Sequence, residues 1–432
     1  MVGRAVTTTT QPVSKPTPSW EVRGWREGDE KLLREIDDLA FGYSAPEERW
    51  SEELATLERD RTVFVADPAD PAAIIGSAGA FTFEVSVPGG RTVAAAGVSW
   101  VSVYPTHRRR GILRALMTAQ LTDIAARHEP VAVLWCSEAT IYGRFGYGRA
   151  TSEAEVTVDR HRAGIDPAVV AGAGLRAEIG DPADSLAEVE ALYETIRAVR
   201  PGMPRRSAAW QRTAIGDYDS QRAGASRLRT VLFRDGEGTV RAAIRYRVEG
   251  WAAETATSPR RTRVSELYAD SPGAWAAAWS WIGELDLVGG YRAGSRPVDD
   301  PLLLQLIDLR AAKVEPGDAL WVRLVDLPAA LAARGYAGTT EAVVEVTDAT
   351  LPANAGRWRI ATTPEGAQVT RTDEPGDLSL DTAVLAEAYL GSAGSLVRSL
   401  QAGRVTEHRP GAVSALSRAF DSDVAPWCPV HF

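Results

Sequence analysis

The chain has 432 residues, 57 acidic against 48 basic, giving a formal net charge of −9, with 45% hydrophobic and 24% charged residues. That length predicts two or three domains with substantial cores, and the negative balance disfavours general nucleic-acid binding while allowing cationic small molecules or basic peptides as partners. No run approaches the roughly 20 apolar residues that span a bilayer, and the two cysteines, Cys136 and Cys428, offer neither a disulfide framework nor a metal cluster.

Residues 1–19, rich in Thr, Pro and Ser and without the apolar stretch of a secretory signal, read as a disordered tail; with the sparse cysteines this predicts a cytoplasmic protein. Residues 29–40 have helical spacing, with Leu32, Leu33, Ile36 and Leu39 on one face. A second short helix, Pro46 to Glu58, carries Trp50, Leu54 and Leu57. TVFVA, AAIIGSAGAFTFEVSV and RTVAAAGVSWVSV are strands, the last two joined by a VPGG turn at 87–90. The basic turn THRRRG then opens a helix that buries Leu113, Leu116, Met117, Leu121 and Ile124. Pro130 ends it, VAVLWC is the next strand, and the first α/β unit covers residues 20–155.

A similar order returns over residues 156–312. LRAEI is strand-like, and Asp181 to Val199 is a helix facing Leu186, Val189, Tyr193 and Ile196 inward. RLRTVLF and TVRAAIRYRVEG flank the hairpin turn DGEG. RVSELYAD then leads into the helix SPGAWAAAWSWIGEL. SELYADSPGAWAAAW stands where the first unit has VSVYPTHRRRGILRAL, so the second unit reads as a degenerate repeat that keeps the architecture and loses the arginines. A third unit, residues 313–432, alternates strands and short helices with little ionisable clustering, as a support or binding domain does. The fold class is α/β (α+β).

The turn carries the chemistry. Arg108, Arg109 and Arg110 precede Gly111, which lets backbone approach a ligand closely. The helix behind it supplies unsatisfied N–H groups and a partial positive charge, and arginine binds phosphate oxygens directionally. Three arginines in isolation are more often a solvated corner. A buried strand before them and an amphipathic helix after them make the turn an anion site. Tyr142 and Tyr147, in IYGRFGYG, are each able to donate a proton or simply to pack. His431 is a candidate base because imidazole titrates near neutrality. His107, His128, His161 and His408 show no metal-ligand spacing, and Cys136 reads as a core thiol.

Val98 to Arg149 resembles the acetyl-CoA site of GNAT acetyltransferases: Arg108 and Gly111 fit their phosphate turn, while Leu113 stands where Gly or Ala is usual. That departure, together with IYGRFGYG, is similar to the Eis (enhanced intracellular survival) acetyltransferases. The likeness extends over nearly the whole chain from Trp20: an active GNAT domain, a degenerate GNAT domain, and a sterol-carrier-protein-like domain. The resemblance implies acetyl-CoA as co-substrate and no metal. It places coenzyme A contacts at Val101, Ser102, Val103, Arg109, Arg110, Gly111, Ile112, Leu113, Arg114, Ser137 and Glu138. It also implies Tyr142 as proton donor and the Phe432 C-terminal carboxylate as base. An unperturbed α-carboxyl, with a pKa of about 3.3–3.7, is a poor base, and burial would raise it. The implied acceptors are primary amines (aminoglycoside-like, polyamine or lysine side chains) acetylated by direct transfer in a ternary complex, and the implied assembly is a homohexamer. Phe41 and Trp50 match acceptor-pocket aromatics, with core packing an equal alternative. His431 stands where the family often has an acidic residue, making the pocket less favourable to multiply charged acceptors such as aminoglycosides. A lipid- or sterol-binding protein with a vestigial GNAT fold, and an enzyme using longer acyl-CoAs, are the alternatives. An intact RRRG turn in one copy and its loss in the other favour the acetyltransferase.

Overall fold

The computed structural model describes residues 20–249 and 260–432. The expected N-terminal tail and the last residue of TVRAAIRYRVEG lie outside them.

Strand β1 (Val22–Gly24) precedes helix α1 (Asp29–Phe41), which starts and ends at left-handed glycines, Gly28 and Gly42. Leu33 and Ile36 are buried as expected, whereas Leu39 is 45% exposed, because the helix rests on the sheet by a narrower stripe than its apolar pattern. Helix α2 (Glu47–Thr56) buries Trp50. Strands β2 (Val63–Asp67), β3 (Asp70–Val87) and β4 (Arg91–Val103) form an antiparallel ribbon. Helix α3 (Ile112–Ala126) packs Leu116, Met117, Leu121 and Ile124 inward, and β5 (Val131–Trp135) returns parallel to β4. Strands β6 (Gly148–Arg149) and β7 (Ser152–Asp159) follow.

The two large sheets exchange strands. The first has the order β1-β2-β3-β4-β5, then Leu320–Leu324, then β6; the second runs Ala312–Asp318, β7, 290–297, 261–269, 240–248, 229–234, 176–180. Each contains one parallel pair, β4 with β5 and 261–269 with 290–297. Beyond that pair each sheet accepts an antiparallel strand from the other half of the chain: Leu320–Leu324 beside β5, and β7 beside 290–297. Divisions at 155/156 and 312/313 therefore do not follow the sheets. β7 crosses the first, and Leu320–Leu324, expected at the start of the third unit, completes the first sheet. Its residues LWVRL are all buried, so the run fits either location by hydrophobicity alone.

The third domain is a five-stranded sheet covered by helices, including Leu327–Ala333, Thr382–Ala388 and Ala412–Phe420. One apolar core runs through all three domains, joining Phe83 and Val133 to Val189 and Tyr193, to Leu331 and Val344, and to Trp427 near the C-terminus.

Arg334 locks the third domain. Fully buried, it donates to the carbonyls of Gly335 (3.0 Å), Ala388 (3.1 Å), Tyr389 (2.5 Å) and Phe420 (2.6 Å). Burial pulls its pKa down to about 10, so it remains a cation at neutral pH. Arg334→Met orphans these carbonyls at once and is expected to destabilise the fold by about 3–5 kcal/mol, measured as a fall in the denaturant midpoint. An unchanged midpoint would show that the carbonyls find other donors.

Candidate active site

The site begins where β4 leaves β5. Their ladder has four pairs, ending at Val98↔Leu134, while β4 continues to Val103. On its other side β4 carries a bulge: Ser77 pairs with Ser102 and Gly79 with Ser99, leaving Trp100 and Val101 opposite Ala78. Trp100 is left-handed, φ 55°, a conformation that costs a residue with a Cβ about 1–2 kcal/mol. Two side-chain donors hold the distortion: Ser77 Oγ donates to the Trp100 carbonyl (2.9 Å) and the buried Gln120 Nε2 to the Gly79 carbonyl (2.6 Å). The bulge has a sequence signal, since large apolar residues at 98 and 100 slip by one to 101 and 103.

Along the splayed part of β4 lies a cavity of about 900 Å³. Its walls include Val101, Ser102 and Val103 from β4, Arg109, Gly111, Ile112, Leu113 and Arg114 from the basic turn and α3, and Ser137, Glu138 and Tyr142 beyond β5. Arg110 does not line it. Its carbonyl accepts from Trp20 Nε1 at 2.8 Å. Gly111 caps α3 with φ 91° and no side-chain acceptor, so the first-turn N–H groups are left to an incoming anion. The arginines beside them are exposed. Charge, open donors and volume suit a phosphate-bearing ligand, as the acetyl-CoA implied by the sequence resemblance is.

Tyr142 and Tyr147 part company here. Tyr142 lines the cavity, and burial, with Cys136 and Glu138 adding to it, pushes its pKa up to about 12, keeping the phenol protonated at neutral pH. Tyr147 is sealed behind it, edge-on at 5.9 Å, its hydroxyl without a partner among the described residues. Strand β6, which follows, admits no side chain at Gly148: a Cβ there would sit 2.0 Å from the Ala383 carbonyl of the third domain.

A second cavity, about 480 Å³, adjoins the first, and Phe41 lines both. Its apolar wall includes Trp50, Phe81, Trp100 and Trp210, and its polar wall Arg34, Asp37, Asp38, Arg49 and Glu53. Phe41 and Trp50 thus face this space, although Trp50 also belongs to a buried cluster. Asp37, Trp100 and Trp210 were not anticipated; nothing in the local pattern at Asp37 or Trp210 marks them.

His431 and Phe432 close this cavity. The tail is threaded between domains: Trp427 N donates to the Pro201 carbonyl (2.8 Å), Trp427 Nε1 to the Ser295 carbonyl (2.6 Å), and Trp135 Nε1 to the Val430 carbonyl (2.8 Å). The Phe432 ring meets Phe83 edge-on at 4.9 Å. His431 stacks on Trp135 at 3.8 Å, its Nε2 lying 2.8 Å from Ser295 Oγ; though its edge is exposed, this desolvation lowers its pKa and favours the neutral ring.

The second GNAT-like unit repeats strand, turn and helix but closes the anion site from within. Ser271 accepts from Ala274 N at the start of helix Pro272–Gly283, and proline occupies the first turn. In the third domain, a surface pocket of about 420 Å³ is bordered by Glu345, Arg357, Arg371 and Asp373, a charged lining ill-suited to a sterol or acyl chain. Among the described residues there is no group of His, Cys, Asp or Glu arranged to hold a metal, and no helix long and apolar enough to cross a membrane.

Comparison with known proteins agrees with this architecture. Residues 21–150 and 202–324 each match an acetyltransferase (GNAT) domain, and residues 327–429 match a sterol carrier protein domain. An uncharacterized N-acetyltransferase of Streptomyces avermitilis is 43% identical over 95% of this chain and 99% of its own length. The N-acetyltransferase Eis of Mycobacterium tuberculosis is 34% identical over 84% of this chain and 88% of its own. The crystal structure of Eis1 from Mycobacterium abscessus is 35% identical with a TM-score of 0.80, covering 95% of this chain and all (100%) of that one. A GCN5-related N-acetyltransferase from Anabaena variabilis, 20% identical with a TM-score of 0.82 over 96% and 100% of the two chains, shares the fold. With two GNAT domains, a sterol-carrier-protein domain and relatives of this closeness, the chain belongs to the Eis family of GNAT N-acetyltransferases.

Proposed function

We propose that the protein acetylates primary amines by direct transfer from acetyl-CoA in a ternary complex, with Tyr142 as proton donor and the Phe432 carboxylate as proton acceptor. One observation carries this reading: an anion-binding cavity and an acid- and aromatic-lined cavity adjoin at Phe41 and the splayed end of β4. Acetyl-CoA supplies the activated acyl group. Arg109, Arg114 and the α3 N-terminus hold its phosphates, with Val101 to Val103, Ile112, Leu113, Ser137 and Glu138 along its length. Arg110 contributes charge from the turn rather than a direct contact.

The acceptor enters the second cavity. Its nitrogen must lose protons to attack and to finish as an amide, and the departing sulfur must gain one. The neutral Tyr142 phenol supplies a hydrogen bond and proton toward sulfur. The Phe432 carboxylate, carried on an apolar residue at the cavity edge, receives a proton from nitrogen. Cations of polyamine, lysine or aminoglycoside type meet Asp37, Asp38 and Glu53, but also Arg34 and Arg49. Together with a His431 held toward neutrality, this favours acceptors with few charges over heavily charged aminoglycosides. The hexamer and the cytoplasmic location rest on family resemblance. The exposed side chains Leu304, Ile307 and Leu309 are ones that self-association would cover, and light scattering measures the assembly.

Coenzyme A release with a panel of amines tests the activity. Tyr142→Phe is expected to lower kcat about 100-fold with acetyl-CoA binding near normal. Residues appended after Phe432 are expected to cut turnover strongly while leaving acetyl-CoA binding intact, and full activity in that extended protein would exclude the terminal carboxylate as base. Arg109→Glu combined with Arg114→Glu is expected to raise KM for acetyl-CoA at least tenfold, about 1.4 kcal/mol, and more steeply at low ionic strength.

A further inference from the structure

The wall between the two cavities contains a polar pair to which the proposed mechanism assigns no proton transfer. Asp37, near the end of α1, lines the acceptor cavity; Ser102, on the splayed end of β4, lines the donor cavity. Ser102 Oγ donates to Asp37 Oδ1 at 3.1 Å, the single hydrogen bond to the Asp37 carboxylate among the described residues. The cations near it are committed elsewhere. Arg34 donates to Glu47 (2.6 Å) and to the Ala45 carbonyl (2.7 Å), and Arg49 donates to Glu53 (2.5 Å).

Amide formation from an ammonium releases two protons from nitrogen. One leaves before attack, to expose the lone pair, and one leaves as the C–N bond forms and the C–S bond breaks, with the sulfur's electron pair protonated by the donor. A single base accounts for one of these. We propose that Asp37 is a second proton acceptor, which pairs with the acceptor's ammonium at Oδ2, takes the first proton and delivers a neutral amine beside Ser102 at the donor cavity. The inference rests on the proposed acetyltransfer, in which the Phe432 carboxylate takes the other proton.

The electrostatics agree. Burial pushes the Asp37 pKa up to about 6 against the opposing Ser102 hydrogen bond, with Glu53 and Asp38 adding repulsion. A carboxylate raised toward neutrality is the stronger base while remaining ionised at pH 7. The titratable and charged groups facing this cavity beside Asp37 are Arg34 and Asp38 on α1, Tyr43 between the helices, Arg49 and Glu53 on α2, and His431 and the Phe432 carboxylate on the tail. Burial holds His431 below its ordinary value, and Asp37→Asn retains His431, so a pH dependence that the native protein shows and the variant lacks belongs to Asp37.

Two acceptors of similar shape separate the roles. Benzylamine is an ammonium at pH 7, whereas O-benzylhydroxylamine is already neutral and has no first proton to lose. Asp37→Asn, which preserves the Ser102 hydrogen bond, is expected to lower kcat/KM about 10–100-fold for benzylamine and to leave O-benzylhydroxylamine within about threefold of the native rate. Appending residues after Phe432 is expected to impair both. Equal losses for the two acceptors, or none, would overturn the assignment. Binding without any acetyl donor gives a readout independent of turnover. Calorimetry of benzylamine with native protein should show affinity falling about tenfold between pH 7.5 and pH 5 as Asp37 protonates, given its pKa near 6, with Asp37→Asn flat. Ser102→Ala, which removes the bond that lowers the Asp37 pKa, should move that midpoint upward. A native profile as flat as the variant's would refute the role even if benzylamine is never acetylated, whereas normal pH-dependent binding without any coenzyme A release would count only against the acetyltransfer reading.

Discussion

Strands β4 and β5 are parallel neighbours for only four pairs, and the cavity proposed here for the acetyl donor lies in the wedge beyond Val98↔Leu134. A parallel ladder continues unless something turns one strand away. Here that is a bulge at Trp100 and Val101, and it is unfavourable by itself: a tryptophan in left-handed conformation and two displaced carbonyls cost more than regular pairing. Ser77 and Gln120 donate to those carbonyls, each bond contributing about 1 kcal/mol toward holding the distortion. The wedge is therefore a permanent feature of the folded protein, built from β3 on one side and α3 behind. It does not require the ligand to force the sheet open.

The same wedge explains why three domains are needed. Trp135, at the end of β5, donates to the Val430 carbonyl and stacks on His431, so the strand left without β4 is covered by the C-terminal tail. The tail can reach it because Trp427 is pinned between Pro201 and Ser295 and because the third domain is tied to the first sheet through Leu320–Leu324. Within that strand Arg323 pairs with Asp348 of the third domain at 2.7 Å, both fully buried. Breaking such a pair strands a buried charge. Strand exchange and this ion pair thus fix the distance between the wedge and the chain end, which loop connections alone would leave loose.

The basic turn before a helix, the repeated strand–turn–helix units and the tyrosine turn were legible in sequence because each is local. Arg108 to Gly111 sit between a buried strand and an amphipathic helix, and IYGRFGYG is contiguous. The slip of large apolar residues at Trp100 and Val101 also announces a bulge, once read as a break in period two. Strand exchange was not legible, because LWVRL shows that a strand is buried and not which sheet buries it. Asp37 was invisible for a related reason. It is one acidic residue beside another on the polar side of a helix, and its meaning comes from Ser102, 65 positions away, and from arginines engaged by other partners. Period and motif report which face is buried, but not which lone polar group lies beside an unused cavity.

The two GNAT-like units show the difference between inheriting a fold and retaining a site. Both have the parallel pair, the turn and the helix, and the helix start in each has N–H groups that must be satisfied. In the second unit Ser271 accepts one of them and Pro272 removes another, so fewer are left for a ligand. In the first, Gly111 offers no acceptor. Relative to serine this forgoes only a few tenths of a kcal/mol, while its φ of 91° keeps the turn accessible to backbone approach. A loss so small for the fold has a large consequence for binding, because the same N–H groups cannot serve an internal cap and a phosphate together. Arginines alone would leave the second unit merely basic. Uncapping its helix would be the first requirement for building an open anion-binding turn there, and new charge the second.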